Sequence, residues 1–554
     1  MNRRFVPCLA VFFCPNVAAL AQPVISTEVP AVSSASYRTP GMAGSGIAQG
    51  SIFTIFGTGL GPHQGVQAFT FPLPTKLGGA SVTVTVGSTQ VSAIVLFSYS
   101  TQLNAILPST TPVGSGAFTV TYNGRTSAPA PIQVVASAFG TYTYNSSGSG
   151  QAIATDVTYQ LNTIIHTLHP GDYGILWGTG LGAIGGDDSI PPPTGNLPGS
   201  INVYVGNSAA TTIYQGRSGC CAGLDQIVFQ VPAGVTGCYV PIAVQAGGAV
   251  ANIATIAVSA SGQTCSDSVM GQDLVNKLAS GQTVHFGYVR LESLIATFIP
   301  GSTFFASSDA AMATFSEYTP GAAGLAEYGV SSGYCVTVSC SSAAGCAVNS
   351  YNASVSDSSP AQLNAGSLSV IWGSPIALAQ LGAGGFYGAQ LLEPDGTRYL
   401  WSGLTYEVTG SGGAAVGVFD ISDLTSVPGV KFSVLRSGDS VPLSGDVTLQ
   451  WTGGDPNLQN GQVTIGGYSS ADATYKQFEW LQCTAPLAAQ KFTIPGWVLS
   501  TLPPSGTGQA GSIPYPLGWI WIGQYNNPTT FNSTGLDRGI VTDIFYNGLG
   551  VYFK

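Results

Sequence analysis

Apolar and polar residues alternate along many short stretches of this chain. Residues 81–86 read SVTVTV, residues 117–122 read AFTVTY and residues 201–205 read INVYV. Because successive side chains of a β-strand point to opposite faces, each stretch predicts a strand with one buried face. Gly, Pro and Asn separate the stretches, as turns between strands require. The pattern predicts an all-β protein.

Two glycine-rich runs mark an internal repeat. GSIFTIFGTGLGP at residues 50–62 aligns with GDYGILWGTGLGA at residues 171–183, an offset of 121 residues. The similarity continues, since LGGASVTVTVG matches LPGSINVYVG, and QLNAILP at 102–108 matches QIVFQVP at 226–232. Repeats of about 100 residues with alternating strands predict two tandem immunoglobulin-like β-sandwiches.

The glycine runs do not predict a nucleotide site. A phosphate loop needs a helix directly after its glycines, because the helix N-terminus binds the phosphate. Pro62 follows the first run and a Pro/Gly-rich loop at 183–199 follows the second, so neither copy offers that helix. The glycines instead suit turns at strand ends, where Leu60 and Leu181 close the end of each sandwich.

A family resemblance rests on these motifs. ASYRTPGMAGSGIAQGSIFTIFGTGLGP at 35–62, LPTKLGGASVTV at 73–84 and TQLNAILP at 101–108 resemble an uncharacterised repeat domain of secreted soil-acidobacterial proteins. That domain is similar to the IPT/TIG class of immunoglobulin-like folds. The resemblance covers residues 29–136 and, in a more divergent copy, residues 155–259. It implies an extracellular, non-catalytic β-sandwich with no catalytic residues to transfer.

The remaining chain completes a modular plan. QDLVNKLASG at 272–281 is amphipathic and predicts a short helical linker, and strand patterns continue after it. The predicted units are a signal peptide at 1–21, a first IPT/TIG-like sandwich at 22–138, a second at 139–263, a β-rich domain with the helical linker at 264–430, and a C-terminal β-sandwich at 431–554.

The first 21 residues have the features of a cleavable secretory signal. Arg3 and Arg4 precede the apolar FVPCLAVFF, and Ala19-Leu20-Ala21 supplies a small-residue cleavage site before Gln22. No later apolar run is long enough to predict a membrane span. We expect an extracellular or cell-surface protein.

The charge composition limits the classes of molecule that the protein is expected to bind. Only 7% of residues are charged, and loss of Arg3 and Arg4 changes the formal net charge from −10 to −12. An acidic chain without a basic patch disfavours nucleic acid as a partner. The sequence predicts no cofactor and no metal site, and His166 and His169 in HTLHPG would point to opposite faces of a strand.

The cysteines favour disulfides. Cys8 and Cys14 belong to the signal, which leaves an even number in the mature chain: Cys220, Cys221, Cys238, Cys265, Cys335, Cys340, Cys346 and Cys483. An even number in an exported chain indicates disulfide bonding, although spacing does not decide the pairing.

Aromatic residues near the C-terminus form a candidate binding surface. Trp519 and Trp521 alternate along a predicted strand, so their rings share one face, and Tyr515 and Tyr525 lie nearby in sequence. On a solvent-exposed face they would offer a platform for stacking sugar rings, whereas on an inward face they would belong to a sandwich core.

Two functions are compatible with this sequence. The first is a secreted or surface protein with a non-catalytic binding, adhesion or scaffolding role toward extracellular polysaccharide or a surface protein. The alternative is an exported carbohydrate-active hydrolase whose paired carboxylates lie within residues 284–554. Its candidate carboxylates are Glu393, Asp395, Asp420, Asp423, Asp455 and Glu479. The absence of a nucleophile elbow and the tandem repeats favour the first function, and the oligomeric state stays open.

Overall fold

The computed structural model describes residues 22–266, 269–297, 306–320, 329–340, 361–381, 384–393, 398–426, 428–455, 457–458, 460–525 and 528–554. These residues form tandem immunoglobulin-like β-sandwiches followed by a β-rich C-terminal half, which confirms the predicted all-β class. The predicted signal segment, Cys346 and Asp395 lie outside the described residues.

The first sandwich consists of two sheets. One contains β1 (Val24–Ile25), β2 (Ala31–Ser33), β4 (Ile52–Thr58), β5 (Val66–Gln67), β9 (Ile94–Ser98) and β10 (Gln102–Ile106). The other contains β3 (Ile47–Ala48), β6 (Lys76–Leu77), β7 (Ala80–Val86), β8 (Thr89–Ser92), β11 (Gly114–Tyr122), β12 (Arg125–Thr126) and β13 (Ala130–Val135). Along β7, alternate residues from Ala80 to Val86 are buried in the core between the sheets, as the sequence pattern predicts.

The second repeat forms one nine-stranded sheet that surrounds a separate core. Its strands are β14 (Gly140–Thr141), β15 (Ala154–Asp156), β16 (Tyr173–Thr179), β17 (Ile201–Val205), β18 (Ser208–Arg217), β19 (Asp225–Gln230), β20 (Gly237–Ala246), β21 (Ala249–Val250) and β22 (Ala254–Val258). Phe56 of β4 pairs with Gln102, and Trp177 of β16 pairs with Gln226. The two copies therefore place their matched residues in equivalent strand pairs, which confirms the internal repeat.

The glycine runs lie at strand ends. β4 and β16 end at Thr58 and Thr179, and the glycines that follow them, Gly59 and Gly180, have positive φ angles of 65° and 108°. Only glycine adopts these angles at little cost. Leu60 and Leu181 are buried in the two sandwich cores.

A short helix leads into the C-terminal half. α1 (Gln272–Ala279) lies within residues 272–281, where the sequence pattern indicates a short helix. Its buried residues Leu274, Val275 and Leu278 pack on Phe286 and Ile540 of the following sheet.

That sheet has 15 described strands and contains most of the C-terminal half. They are β23 (Val284–Thr297), β24 (Ala306–Tyr318), β25 (Tyr334–Cys340), β26 (Ala361–Gln362), β27 (Leu368–Ile371), β28 (Ile376–Gln380), β29 (Phe386–Gln390), β30 (Thr405–Gly410), β31 (Phe419–Thr425), β33 (Ser440–Val441), β35 (Gln462–Ser470), β36 (Phe478–Pro486), β40 (Gly518–Tyr525), β41 (Thr529–Phe531) and β42 (Arg538–Phe553). β23 and β42 pair in parallel, from Phe286 opposite Arg538 to Thr297 opposite Leu549. The sequence predicts a domain boundary at residue 430, but β23 and β42 lie on opposite sides of it in sequence and are hydrogen-bonded in one sheet.

Smaller elements complete the C-terminal half. β32 (Val430–Phe432), β34 (Val447–Gly453) and β37 (Lys491–Ile494) form a three-stranded sheet, β38 (Thr507–Ala510) and β39 (Ile513–Pro516) form a hairpin, and α2 spans Gly496–Leu499. Two apolar cores lie on the long sheet, one including Ile520 and Ile522 and the other including Val541 and Phe545. By strand register, these residues all belong to one face of the sheet, whereas Phe286, Ile540 and Phe478 of two smaller apolar clusters belong to the opposite face.

Buried polar contacts join the two repeats. Arg217 forms an ion pair with Asp225, and neither side chain is exposed to solvent by more than 1%. From Nη2, Arg217 donates to the carbonyl of Gly182 at 2.7 Å and to that of Gly50 at 3.0 Å. The two glycine-rich segments therefore meet at one guanidinium group, which satisfies their carbonyl oxygens and fixes the junction.

Candidate functional site

Trp519 and Trp521 lie on the face of the long sheet opposite the cores. They alternate along β40 with Ile520 and Ile522, which are fully buried in the C-terminal core. Because neighbouring side chains of a strand point to opposite faces, both indoles project away from that core. Trp521 is nevertheless buried at 8% exposure, whereas Trp519 is partly exposed.

Three further aromatic residues join them from distant parts of the chain. In strand register, Tyr468 of β35 stands opposite both Trp480 of β36 and Trp519 of β40, and Tyr546 of β42 stands opposite Gly523, two residues after Trp521. We call Tyr468, Trp480, Trp519, Trp521 and Tyr546 the aromatic strip. It crosses four adjacent strands.

Ring contacts hold the aromatic strip together. The rings of Tyr468 and Trp519 are nearly parallel, 15° apart with centroids at 5.6 Å. Trp521 contacts Trp480 edge to face at 4.8 Å and Tyr546 at 6.5 Å. Trp521 is buried, whereas the other four residues are partly exposed. The buried indole thus supports rings that keep part of their surface accessible to solvent, although burial raises the pKa of the Tyr468 and Tyr546 hydroxyls.

Glycines on the same face make room for the rings. Gly466 lies directly opposite Trp521, and a Cβ on Gly466 would overlap the indole nitrogen. A Cβ on Gly523 would stand 2.7 Å from Cδ1 of Tyr546. Aromatic rings that lie over strand glycines recover contact area that a side chain would otherwise provide.

Polar groups border one end of the aromatic strip. Arg290 and Glu292 of β23 form an ion pair of 2.9 Å with side chains 17% and 21% exposed, on the same face as Tyr288. Tyr525 hydrogen-bonds to Tyr546. Burial, followed by the charge of Tyr525, raises the pKa of Tyr288 to about 12, so its hydroxyl is protonated at neutral pH. This end combines charged and neutral hydrogen-bonding groups.

The four residues predicted from sequence occupy different parts of this surface. Trp519 and Trp521 are within the aromatic strip, and Tyr525 adjoins its polar end. Tyr515 lies on the β38–β39 hairpin, where its hydroxyl interacts electrostatically with Tyr468 and Tyr475. Sequence reasoning missed Tyr468, Trp480 and Tyr546, since only long-range strand pairing brings them to this face.

The candidate carboxylates of the hydrolase alternative are dispersed. Glu479 is buried in an ion pair with Arg38, and Asp455 accepts a hydrogen bond from the backbone of Asn457 in its own turn. Asp420 and Asp423 lie exposed on β31, and Glu393 follows β29.

The histidines in the second repeat have carboxylate partners. His166 Nε2 lies 3.0 Å from Asp156, and His169 Nδ1 lies 2.8 Å from Asp172. Over the described ranges, no group of three or more His, Cys, Asp or Glu side chains is placed to hold a metal ion. In the same ranges, no helix is long and apolar enough to span a membrane.

Six of the predicted disulfide cysteines are paired. The bonds are Cys220–Cys221, Cys238–Cys265 and Cys335–Cys483. Cys335 and Cys483 face each other on β25 and β36. The side chains of Cys340 and Cys346 lie outside the described part of the chain.

Comparison with known proteins gives only distant similarities. No protein-family model and no curated protein matches the chain. Among solved structures, domains 5–6 of the S-layer protein SbsC match with 14% identity and a TM-score of 0.16, over 43% of this chain and 98% of that chain. The I9–I11 tandem from titin matches with 7% identity and a TM-score of 0.11, over 69% and 95%. Immunoglobulin domains 1–4 of Sidekick-1 match with 9% identity and a TM-score of 0.11, over 89% and 94%. Superposition at this level assigns neither an activity nor a partner to the chain.

Proposed function

We propose that this protein is exported and binds polysaccharide, without catalysis, through the aromatic strip. The observation that carries the proposal is the position of four partly exposed aromatic side chains on the sheet face opposite both apolar cores. Part of this face is covered, because α1 packs on Phe286 and Ile540, and Tyr468 and Trp480 pack on buried Phe478. The four rings nevertheless keep part of their surface exposed, and exposed aromatic surface is typical of binding sites.

The chemistry of the strip suits a sugar chain. The C–H groups on one side of a pyranose ring pack on an aromatic ring, while hydroxyl groups at its edge need hydrogen-bond partners. Trp519 and Tyr468 provide nearly parallel rings, and the partly exposed Arg290–Glu292 ion pair lies at one end. The negative net charge of the chain favours a neutral polysaccharide over an acidic one.

Cysteine chemistry and the repeats support the proposed location. Disulfides persist in oxidising compartments outside the cytosol, and three are present here. The IPT/TIG-like motifs of the two repeats and the predicted signal peptide agree with a modular protein at or beyond the cell surface. In this proposal the two repeats act as a rigid support, since Arg217 and Asp225 fix their junction.

The test is depletion of the mature protein, residues 22–554, from solution by insoluble cellulose, xylan, mannan and chitin. We expect depletion by at least one neutral polysaccharide, and loss of it in Trp519→Ala and Trp480→Ala variants. Trp401→Ala is the matched control, because Trp401 is 45% exposed and is not part of the aromatic strip. Trp519→Phe keeps an aromatic ring and should retain part of the binding.

Two results would overturn the proposal. One is the absence of depletion by all four polysaccharides, and the other is equal depletion by the parent and by a folded Trp519→Ala variant. Reducing ends are measured in the same supernatants, because their release by the parent would instead favour the hydrolase.

A further inference from the structure

A cavity of about 300 Å³ opens between the two repeats, far in sequence from the aromatic strip. One wall belongs to the first sandwich, where Ile52, Gln67 and Asn104 lie on β4, β5 and β10. The other wall is the segment from Tyr142 to Ser146 of the second repeat. Small-molecule sites occur preferentially at such junctions, and this volume is at the lower end of their usual range of roughly 300 to 1,000 Å³.

The two walls are fixed relative to each other. The hydroxyl groups of Ser34 and Tyr142 form a hydrogen bond of 2.8 Å across the junction. The backbone at Gly148 lies close to Ser36, since a Cβ on Gly148 would overlap the Ser36 carbonyl oxygen. The N–H of Gly148 donates a hydrogen bond to Thr143 Oγ1 at 3.0 Å. The cavity is therefore formed before any ligand arrives, which lowers the entropic cost of binding.

Two residues that line this cavity have a strained backbone. Tyr37 and Ser146, on opposite walls, adopt left-handed backbone angles with φ of 52° and 54°. Non-glycine residues in this region cost roughly 1 to 3 kcal/mol and tend to occur where a binding site needs a particular side-chain position. Both side chains line the cavity.

The hydrogen-bonding side chains that line the cavity are all uncharged. Hydroxyl groups come from Ser34, Tyr37, Tyr142, Thr143 and Ser146. Amide groups come from Gln67 and Asn104, and apolar surface comes from Leu96 and Phe97. None of the described residues around the cavity carries a charged side chain. Burial raises the pKa of Tyr37 and of Tyr142, so both phenols stay protonated. The Tyr142 hydroxyl is hydrogen-bonded to Ser34, and Asn104 Oδ1 accepts a hydrogen bond from Gln102 Nε2.

From this lining we infer that the cavity binds the end of a neutral saccharide. Hydroxyl and amide groups can donate to and accept from sugar hydroxyls, and the ring of Phe97 offers an apolar surface for the C–H groups. A charged ligand would lose its hydration without gaining an ionic partner, which disfavours acidic and amino sugars. The site is independent of the aromatic strip, because the two surfaces share no residue.

The test uses saturation-transfer NMR on the mature protein with methyl glycosides of glucose, galactose, mannose and xylose, beside glucuronate and glucosamine. At least one neutral glycoside should bind. Its Kd should rise about tenfold or more in Gln67→Trp, which fills the mouth, and in Asn104→Asp, which adds a charge. Gln90→Ala is the control, since Gln90 is exposed on β8 outside the cavity.

A Trp519→Ala variant separates this site from the aromatic strip, because binding of the glycoside should be unchanged in it. Absence of binding by all four neutral glycosides would overturn the inference. So would binding that survives both cavity substitutions, or glucuronate binding as tight as that of the neutral sugars. Loss of binding in Trp519→Ala alone would assign the glycoside to the strip instead.

Discussion

Arg38 and Glu479 form a buried ion pair although 441 residues separate them. Nη2 of Arg38 donates to Oε1 of Glu479 at 2.8 Å, and each side chain is 1% exposed. Arg38 also donates from Nη1 to the Ala43 carbonyl at 3.0 Å, and Ser339 donates to the second carboxylate oxygen of Glu479 at 2.6 Å. The pair ties the first sandwich to the long C-terminal sheet.

Removing one partner should destabilise this junction more than removing both. Arg38→Met leaves a buried carboxylate without its counter-charge, and we expect a loss of about 3 kcal/mol or more in the free energy of unfolding. In the double variant Arg38→Met/Glu479→Met, apolar packing replaces the pair, so the loss should be smaller. Urea unfolding of both single variants and the double variant measures this. A double-variant loss equal to the sum of the single losses would show that the two residues are not coupled.

The packing of Trp521 should require glycine at position 466, because any side chain there would overlap the indole. Its φ angle is not positive, so alanine fits the backbone, but the added methyl group would collide with the indole. Trp480, Tyr468 and Tyr546 restrict the indole on its other sides. Gly466→Ala should therefore lower stability by about 1 to 3 kcal/mol and weaken polysaccharide binding.

The control for this prediction is Gly185→Ala, because a Cβ on Gly185 meets open space. Both variants are compared by thermal unfolding and by the depletion assay. Equal stability and binding of the Gly466→Ala variant and the parent would contradict the packing described for Trp521.

The disulfides predict how many thiols react. Residues 22–554 contain eight cysteines, and three disulfides use six of them. Thiol labelling of denatured, unreduced protein that comprises residues 22–554 should therefore modify at most two cysteines. Full reduction should raise the count to eight. Labelling of three or more before reduction would show that at least one of the three bonds does not form.

Asp156 should stabilise the second repeat in a pH-dependent way. Burial opposes its ionisation, but hydrogen bonds from His166, Thr158 and Gln160 outweigh burial and lower its pKa from 3.8 to about 2. A carboxylate whose pKa is lower in the folded state than in the unfolded state contributes its full stabilisation of the fold at pH values above the unfolded-state pKa. This contribution to the free energy of unfolding is lost as the pH falls toward 2.

Asp156→Asn should therefore cost about 1 kcal/mol at neutral pH, since solvent partly screens these contacts, and almost nothing near pH 2. Urea unfolding at several pH values measures the difference. Glu28→Gln, at an exposed carboxylate, is the control. Carboxyl groups in proteins ordinarily titrate between about pH 2 and 6. If the loss in free energy of unfolding caused by Asp156→Asn stayed constant over this range, the result would contradict the contacts described for Asp156.

Local sequence patterns were sufficient to predict the strands and the internal repeat. The alternation from Ala80 to Val86 depends only on neighbouring residues, and so does the turn formed by Gly59 and Leu60. Helix α1 followed from the spacing of Leu274, Val275 and Leu278. Each of these features is decided within a few residues, where periodicity is informative.

Long-range pairing could not be predicted in the same way. The parallel alignment of Phe286 with Arg538 depends on which strands meet after folding, and no local pattern encodes it. For the same reason, Trp519 and Trp521 were identified as a candidate site, whereas Tyr468, Trp480 and Tyr546 were not. The burial of Arg38 was not predicted either, because arginine side chains near turns are ordinarily exposed.

The central claim, that sugar chains bind on the aromatic strip, is tested most directly by ¹⁹F NMR of protein labelled with fluorotryptophan. The chain has eight tryptophans, and single Trp→Phe variants assign their signals. On titration with a soluble oligomer of the polysaccharide that depletes the protein, the signals of Trp480 and Trp519 should shift, while those of Trp177 and buried Trp451 should not. Shifts confined to tryptophans outside the strip, or no shift at saturating oligomer, would contradict the account.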